Sequence, residues 1–210
     1  MLLPKKIKLL LVFLIISLTS VVGISQSNLT FKAGLSFSKF KKTSSNVMPW
    51  NEPVHILSGP TFGATYQLPL LSSRWTGDIG LCINTRGGKS DLFTERNFWI
   101  AYLQVPLGVS LNPSLLGGKW SYSFSTAFVP SLDIATSQGM FKGNSFDESR
   151  LRYHDMEVWL GGAIFKGSWG LNIQYCHGLK TISRFENYYS LKNRAVNLML
   201  SYKIGKSKQT

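Results

Sequence analysis

Apolar and polar residues alternate one by one along most of the chain after residue 28. In the stretch LTFKAGLSFSKF, the odd positions from Leu29 to Phe37 are apolar, and the even positions are small, polar or charged. A repeat of two residues is the pattern of a β-strand whose two faces meet different surroundings. Eight such segments follow one another, at residues 29–40, 61–68, 75–86, 99–111, 120–128, 154–165, 169–179 and 196–204.

The connections between these segments alternate in length. Long connections lie near residues 41–55, 87–97, 132–152 and 181–193, and short ones lie near 69–74, 113–119 and 166–168. An even number of strands, with long loops at one end and tight turns at the other, is typical of a transmembrane β-barrel. We therefore predict an all-β protein, an eight-stranded antiparallel transmembrane β-barrel with four long outer loops and three short inner turns.

Aromatic residues mark the end that carries the short turns. Trp75, Trp120 and Trp169 each follow a short polar turn and each begin a strand of the same direction, while Tyr66 and Tyr202 lie near the ends of strands that return. Indole and phenol rings are stabilised at the headgroup level of a bilayer because one side is apolar and the other is hydrated. We predict that these five residues form an inner aromatic girdle.

The polar face of the strands identifies the interior. It consists of Ser, Thr, Gly, Asn and Gln with few charges, whereas a barrel surface in water carries many Lys and Glu. Small polar residues suit the narrow lumen of a membrane barrel. A soluble barrel or sandwich and a β-propeller are the alternatives, and the propeller requires four strands in each tryptophan interval where this chain offers two.

Six charged residues fall on positions that face the predicted lumen. They are Lys32, Asp78, Arg86, Asp155, Glu157 and Lys203. Buried charges need partners of opposite sign, and side chains roughly fill an eight-stranded barrel. We therefore predict a lumen charge network that plugs the barrel, and this geometry argues against a porin for large solutes.

The N-terminus has the pattern of an export signal. Three lysines precede the apolar run from Leu9 to Leu18, and a site of small residues follows at Gly23 to Ser25. We predict a secretory signal peptide at residues 1–25 and a single outer-membrane β-barrel domain at residues 26–210. No later segment has the uninterrupted apolar run of a spanning helix.

The charge of the predicted mature chain is positive. Without the three lysines of the signal, 20 basic and 10 acidic residues remain, so 20 − 10 gives a formal charge of +10. The basic residues are spread over loops, turns and tail, which argues against a nucleic-acid partner. The charge favours attraction to anionic lipid headgroups, including the phosphates of lipopolysaccharide.

The cysteines and histidines indicate no reaction centre. Cys82 and Cys176 each lie seven residues after a girdle tryptophan, on opposite walls of the predicted barrel, so two free thiols are expected. His177 has no nucleophile nearby that would make a catalytic group, and His154 faces away from Asp155 on its strand. We predict no catalytic residue, no metal site and no cofactor.

Three segments carry a resemblance to a known family. FKAGLSFSKF in the first strand, YLQVPLGVSL in the fourth and the closing VNLMLSYKIG resemble the PorT-like outer-membrane β-barrel family of Bacteroidetes. The resemblance covers nearly the whole mature chain, and it implies an eight-stranded barrel in the bacterial cell outer membrane, crossing it many times. It also implies a link to protein secretion, which is known for some members of that family.

These observations lead to three functional hypotheses. The first is a non-enzymatic accessory or scaffold subunit for secretion or envelope assembly, with a protein partner and with Trp50 and Phe141 of the long loops as contact candidates. The second is a narrow channel or transporter for a small solute. The third is an outer-membrane lipid-modifying enzyme.

Overall fold

The computed structural model describes residues 28–44, 55–70, 74–90, 96–112, 120–136, 154–180 and 189–204. Among these residues, no helix is long and apolar enough to cross a membrane. The strands are β1 (Leu29–Ser44), β2 (His55–Pro69), β3 (Trp75–Ser90), β4 (Arg96–Gln104), β5 (Leu107–Leu111), β6 (Trp120–Thr136), β7 (His154–Lys166), β8 (Trp169–Gly178) and β9 (Tyr189–Ile204).

The strands close into a barrel. All strand pairings are antiparallel, and β1 pairs with β9 from Leu29 opposite Ile204 to Ser44 opposite Tyr189. Both β4 and β5 pair with β3 on one side and β6 on the other, so they are two halves of a single barrel strand. The nine segments therefore form eight barrel strands, and the predicted fold is confirmed.

The fourth barrel strand is interrupted where the alternation predicted one continuous strand. Pro106 lies between its two halves, and proline has no N–H to donate to a strand ladder. The chain still keeps contact with both neighbours, because Pro106 O accepts from Gly80 N at 3.0 Å and Val105 N donates to Pro130 O at 3.0 Å. The interruption therefore divides the strand without opening the barrel.

Several strands extend further toward the long loops than the alternation predicts. β1 continues to Ser44 and β3 to Ser90, and β9 begins already at Tyr189. The pairing of Lys41 with Lys192 shows that the ladder continues through polar residues. Outside the bilayer, a strand can continue without an apolar face because its ladder is formed by backbone hydrogen bonds. A strand end that is predicted where the alternation stops is therefore too early in the sequence.

The barrel has an apolar outer surface and a polar interior, the reverse of a soluble barrel. Large apolar side chains are exposed on the outward face, for example Phe62, Phe124 and Leu200, which are 54 %, 61 % and 54 % exposed. Polar side chains such as Asn84 and Asn197 are buried inside. An apolar side chain gains ~1.5–3 kcal/mol when it leaves water, so this surface is suited to lipid and excludes the soluble barrel with an apolar interior.

The tight turn between β7 and β8 depends on glycine. Gly167 has a φ of 62° and is followed by Ser168 before β8 begins at Trp169. A positive φ at the first of two turn positions is the requirement of a type II′ hairpin, and glycine meets it without strain. At another short connection, Leu70 N donates to Trp75 O at 3.0 Å and joins the facing ends of β2 and β3.

A small apolar cluster lies inside the polar lumen. It consists of Cys82, Val129, Trp159, Cys176 and Ala195, with Ala127 packed against it. Both cysteines are buried and free, as predicted from their positions on different walls. The indole of Trp159 thus fills the interior, unlike the outward-facing tryptophans at the short-turn end.

Candidate functional site

An ion pair crosses the middle of the lumen. Arg86 of β3 meets Glu157 of β7, with Nε donating to Oε1 at 3.4 Å and Nη2 donating to Oε2 at 3.3 Å. Both residues are 0 % exposed. Two guanidinium nitrogens donate to the two carboxylate oxygens. This bidentate geometry gives arginine–carboxylate pairs their specificity.

The rest of the Arg86 guanidinium is held by neutral groups from three strands. Nη1 donates to Asn84 Oδ1 at 2.8 Å, to Asn197 Oδ1 at 2.9 Å and to the hydroxyl of Ser36. A buried charge is tolerated when its hydrogen-bonding capacity is met. The side chains of β1, β3 and β9 therefore replace the water that Arg86 loses.

The Glu157 carboxylate is held from the other half of the barrel. Its Oε2 accepts from Trp159 Nε1 at 2.6 Å and from Gln104 Nε2 at 3.2 Å. Gln104 also donates to Ser131 Oγ at 2.9 Å, which connects β4 to β6. Side chains from β1, β3, β4, β7 and β9 thus bond to one ion pair, and Ser131 of β6 is joined to it through Gln104.

Asp155 lies in a separate group nearer the long loops. Its Oδ2 accepts from Asn193 Nδ2 at 2.6 Å and its Oδ1 accepts from Met156 N at 2.7 Å. The same Asn193 amide donates to the Tyr102 hydroxyl at 3.2 Å. Neutral donors therefore hold this carboxylate, where the sequence predicted a member of one charge network.

A third group lies toward the short turns. Asp78 accepts from Gln67 Nε2 at 3.1 Å, from Thr76 Oγ1 at 3.4 Å and from the hydroxyl of Ser110. Lys32 and Asp78 both line a small cavity of about 30 Å³. The Lys203 ammonium lies 3.8 Å from the centre of the Phe165 ring, a cation–π contact inside the barrel.

The six charges predicted to face the lumen are thus distributed over three heights. Arg86 and Glu157 meet directly, and Asp155 lies nearer the long loops. The other three charges lie nearer the short turns; they are Lys32, Asp78 and Lys203. The neutral partners of these charges were not predicted as site residues. Ser36, Asn84, Gln104, Asn193, Asn197 and Trp159 are those partners. All of them lie on the inward face of their strands, as the charges do. The alternation of inward and outward positions is therefore the sequence signal that could have identified them.

The residues of the predicted aromatic girdle lie at the end of the barrel with the short turns. Trp169 opposes Tyr202 in the ladder, and their ring centres are 4.8 Å apart. Trp120 opposes Lys166, whose Nζ lies 5.4 Å from the indole centre. Trp75 is outward and exposed, and Tyr66 on β2 is half-buried. Their common depth in a bilayer stays a prediction.

Two histidines, His154 and His177, lie on the outer surface of the barrel. The Tyr175 hydroxyl lies 3.3 Å from His177 Nδ1 on the exposed outer surface. His154 is exposed, while Asp155 next to it is buried in the lumen. Within the described ranges, no three side chains of His, Cys, Asp or Glu are grouped as metal ligands. The loop candidates Trp50 and Phe141 lie outside the described residues.

Comparisons with known proteins bear on the fold. No protein-family model and no curated protein sequence matches the chain. Neisserial surface protein A matches with a TM-score of 0.50 and 9 % identity over 86 % of this chain and 100 % of that one. OprG from Pseudomonas aeruginosa has a TM-score of 0.49 and 10 % identity over 85 % and 96 %. AlkL in DMPC bilayers has a TM-score of 0.47 and 14 % identity over 89 % and 95 %. The architecture is that of eight-stranded outer-membrane barrels.

Proposed function

We propose that the chain is a non-enzymatic outer-membrane β-barrel protein that acts as an accessory or scaffold subunit in protein secretion or envelope assembly. The observation that carries this proposal is the Arg86–Glu157 pair, which bridges two walls of the lumen and is 0 % exposed. A barrel with a filled lumen offers its outer surface and its loops for function. This closure speaks against the narrow channel or transporter.

The proposed location is the bacterial outer membrane. The signal-like residues 1–25 would direct export, and the barrel within residues 26–210 has the apolar exterior that a bilayer requires. The strand segments that resemble the PorT-like family of Bacteroidetes support the link to secretion. Membrane lipid, lipopolysaccharide and a protein in the same membrane are the proposed partners.

The long loops are the proposed contact surface for the protein partner. Trp50 and Phe141 are large apolar residues in two of these loops, and aromatic residues contribute strongly to protein interfaces. An accessory subunit of this kind needs no cofactor and no metal. Its role would be to hold a partner at a fixed position in the membrane.

Co-purification tests the scaffold role. The tagged chain is extracted from its native membrane in mild detergent, and the bound proteins are quantified relative to it. We expect a partner in stoichiometric amount that is lost with Trp50→Ala and Phe141→Ala together. Lys89→Glu, at the loop end of β3, is the matched control and should keep the partner. A wild-type chain that purifies alone, from membranes that contain all its potential partners, contradicts the proposal.

Two further measurements distinguish the other hypotheses. In a planar bilayer, the wild-type barrel should show no single-channel conductance because its lumen is filled. A defined conductance step would favour the narrow channel. Lipid analysis of a deletion strain should show an unchanged set of lipid species, and a missing species would favour the lipid-modifying enzyme.

A further inference from the structure

Three basic residues adjoin one another on the outward face of β1, β9 and β8. The ladder places Lys39 of β1 opposite Arg194 of β9, and Arg194 opposite His177 of β8. All three residues continue the outward face of their strands, above Phe37, Val196 and Tyr175. The sequences of β1, β8 and β9 contain no Asp and no Glu. Positive charge on this wall therefore has no acidic partner on its own strands.

Two other strands, β3 and β6, are apolar at the corresponding position. His177 lies eight residues after Trp169 on β8. The residues eight positions after Trp75 and Trp120 are Ile83 and Phe128, which are 47 % and 44 % exposed. The basic residues therefore distinguish the β8–β9–β1 wall from β3 and β6 at the same distance from the girdle tryptophans.

The height of the three residues corresponds to the edge of the apolar band. Eight residues of strand at ~3.3 Å each, inclined by ~40°, rise roughly 20 Å along the barrel axis. The apolar band of an outer-membrane barrel is about 25 Å tall. Lys39, Arg194 and His177 therefore lie near the level of the lipid phosphates in the leaflet that faces the long loops.

Arg194 is the centre of this arrangement. Its Nε is buried and has no hydrogen-bond partner, although buried polar nitrogens are nearly always bonded. Lys39 and His177 flank it on the two neighbouring strands, and Lys192 lies two residues further along the same face of β9. Adjacent strands are ~4.8 Å apart. An anion on the outer surface at Arg194 is therefore within reach of the Lys39 and His177 side chains.

We propose that Lys39, Arg194 and His177 bind the phosphate of a lipid A-type glycolipid of the outer leaflet. Exposed Phe37, Val196 and Tyr175 directly below offer an apolar surface for its acyl chains. The proposal rests on the location of the barrel in the outer membrane and is independent of its scaffold role. A glycolipid that carries phosphates near its acyl chains matches both the charge and the apolar surface of this wall.

Native mass spectrometry of the detergent-solubilised barrel tests the site. The probes are lipid A with two phosphates and the same lipid without phosphate. The wild-type chain should retain the phosphorylated lipid preferentially. Lys39→Gln combined with Arg194→Gln should reduce this preference roughly thirtyfold, because each cation near the phosphates contributes about a factor of five. Lys166→Gln, an exposed lysine at the opposite end, is the matched control and should leave the preference unchanged.

A second variant separates binding from folding. Lys39→Arg combined with Arg194→Lys keeps both charges and should retain the phosphorylated lipid, and electrophoresis without boiling reports whether each variant is folded. Equal retention of both lipids by the wild-type chain overturns the proposal. Displacement of the lipid by excess inorganic phosphate also overturns it, because the site would then be one for free anions. A wild-type chain that retains the phosphorylated lipid but co-purifies with no protein partner would instead contradict the scaffold role alone.

Discussion

The inner and outer surfaces of the same strands follow opposite rules. On β9, Asn197 is buried and bonded to Arg86 and Gln174, while its neighbours Val196 and Leu198 are exposed and have apolar side chains. Inside, a hydrogen-bond partner stabilises a polar group because burial removes the group from water. Outside, lipid demands only that the side chain is apolar. The interior is therefore specific in its contacts, and the exterior is specific only in its polarity.

Removal of one ion-pair partner should have the largest effect. Arg86→Ala leaves the Glu157 carboxylate buried without its counter-charge, and such a change costs about 3–5 kcal/mol. We expect this loss in the free energy of unfolding, measured by urea titration of the barrel in lipid vesicles. The double change Arg86→Met and Glu157→Leu is the control, and it should restore most of the stability. A single variant as stable as the wild type would mean that the pair is hydrated in the membrane.

A charge on the outer surface should have the next largest effect. Leu81 lies between Ile79 and Ile83 on the outward face of β3, and arginine near the bilayer midplane of a barrel costs about 2–4 kcal/mol. We expect Leu81→Arg to reduce the folded fraction, measured by the electrophoretic shift between boiled and unboiled samples. Lys89→Glu at the loop end of the same strand should be nearly silent. Equal effects of the two variants would refute the assignment of the faces.

A neutral partner of the network should have a smaller effect. Asn197 is 1 % exposed; its amide oxygen accepts from Arg86, and its amide nitrogen donates to Gln174 at 3.3 Å. Loss of one buried partner costs about 1–3 kcal/mol, which we expect for Asn197→Ala in the same urea titration. Ser121→Ala, at an exposed position on β6, should change the stability by less than about 0.5 kcal/mol. A silent Asn197→Ala would show that other donors and acceptors compensate for the lost amide.

The addition of reductant should not change the stability of the barrel. Cys82 and Cys176 are free thiols inside the lumen, so the urea midpoint should be the same with and without reductant. Alkylation in denaturant without reductant should add two labels per chain, detected by mass spectrometry, and alkylation of the folded barrel should be slow. An intramolecular disulfide in the assembled protein would contradict the register of the barrel.

The local pattern of the sequence was sufficient for the architecture. The period of two assigned the face of almost every strand residue, and Asn84, Arg86 and Glu157 all lie on the side where the alternation placed them. The eight alternating segments predicted the strand count, and the alternation of long and short connections predicted the barrel. The pattern was less informative at Pro106, where a missing N–H interrupts a strand, and at the loop ends of β1, β3 and β9, where polar residues continue the ladder.

The partners inside the lumen were decided only by the tertiary structure. Arg86 and Glu157 are 71 residues apart in the chain, and they meet because the tilt and stagger of the closed barrel bring them to the same height. Asp155 shares a strand and a face with Glu157 but is bonded to Asn193, since two residues along a strand span ~6–7 Å. Alternation determines the face on which a side chain lies. Height and opposition across a closed barrel depend on the register of all its strands together, so the sequence by itself determined which residues enter the lumen, and the fold decided which of them bind one another.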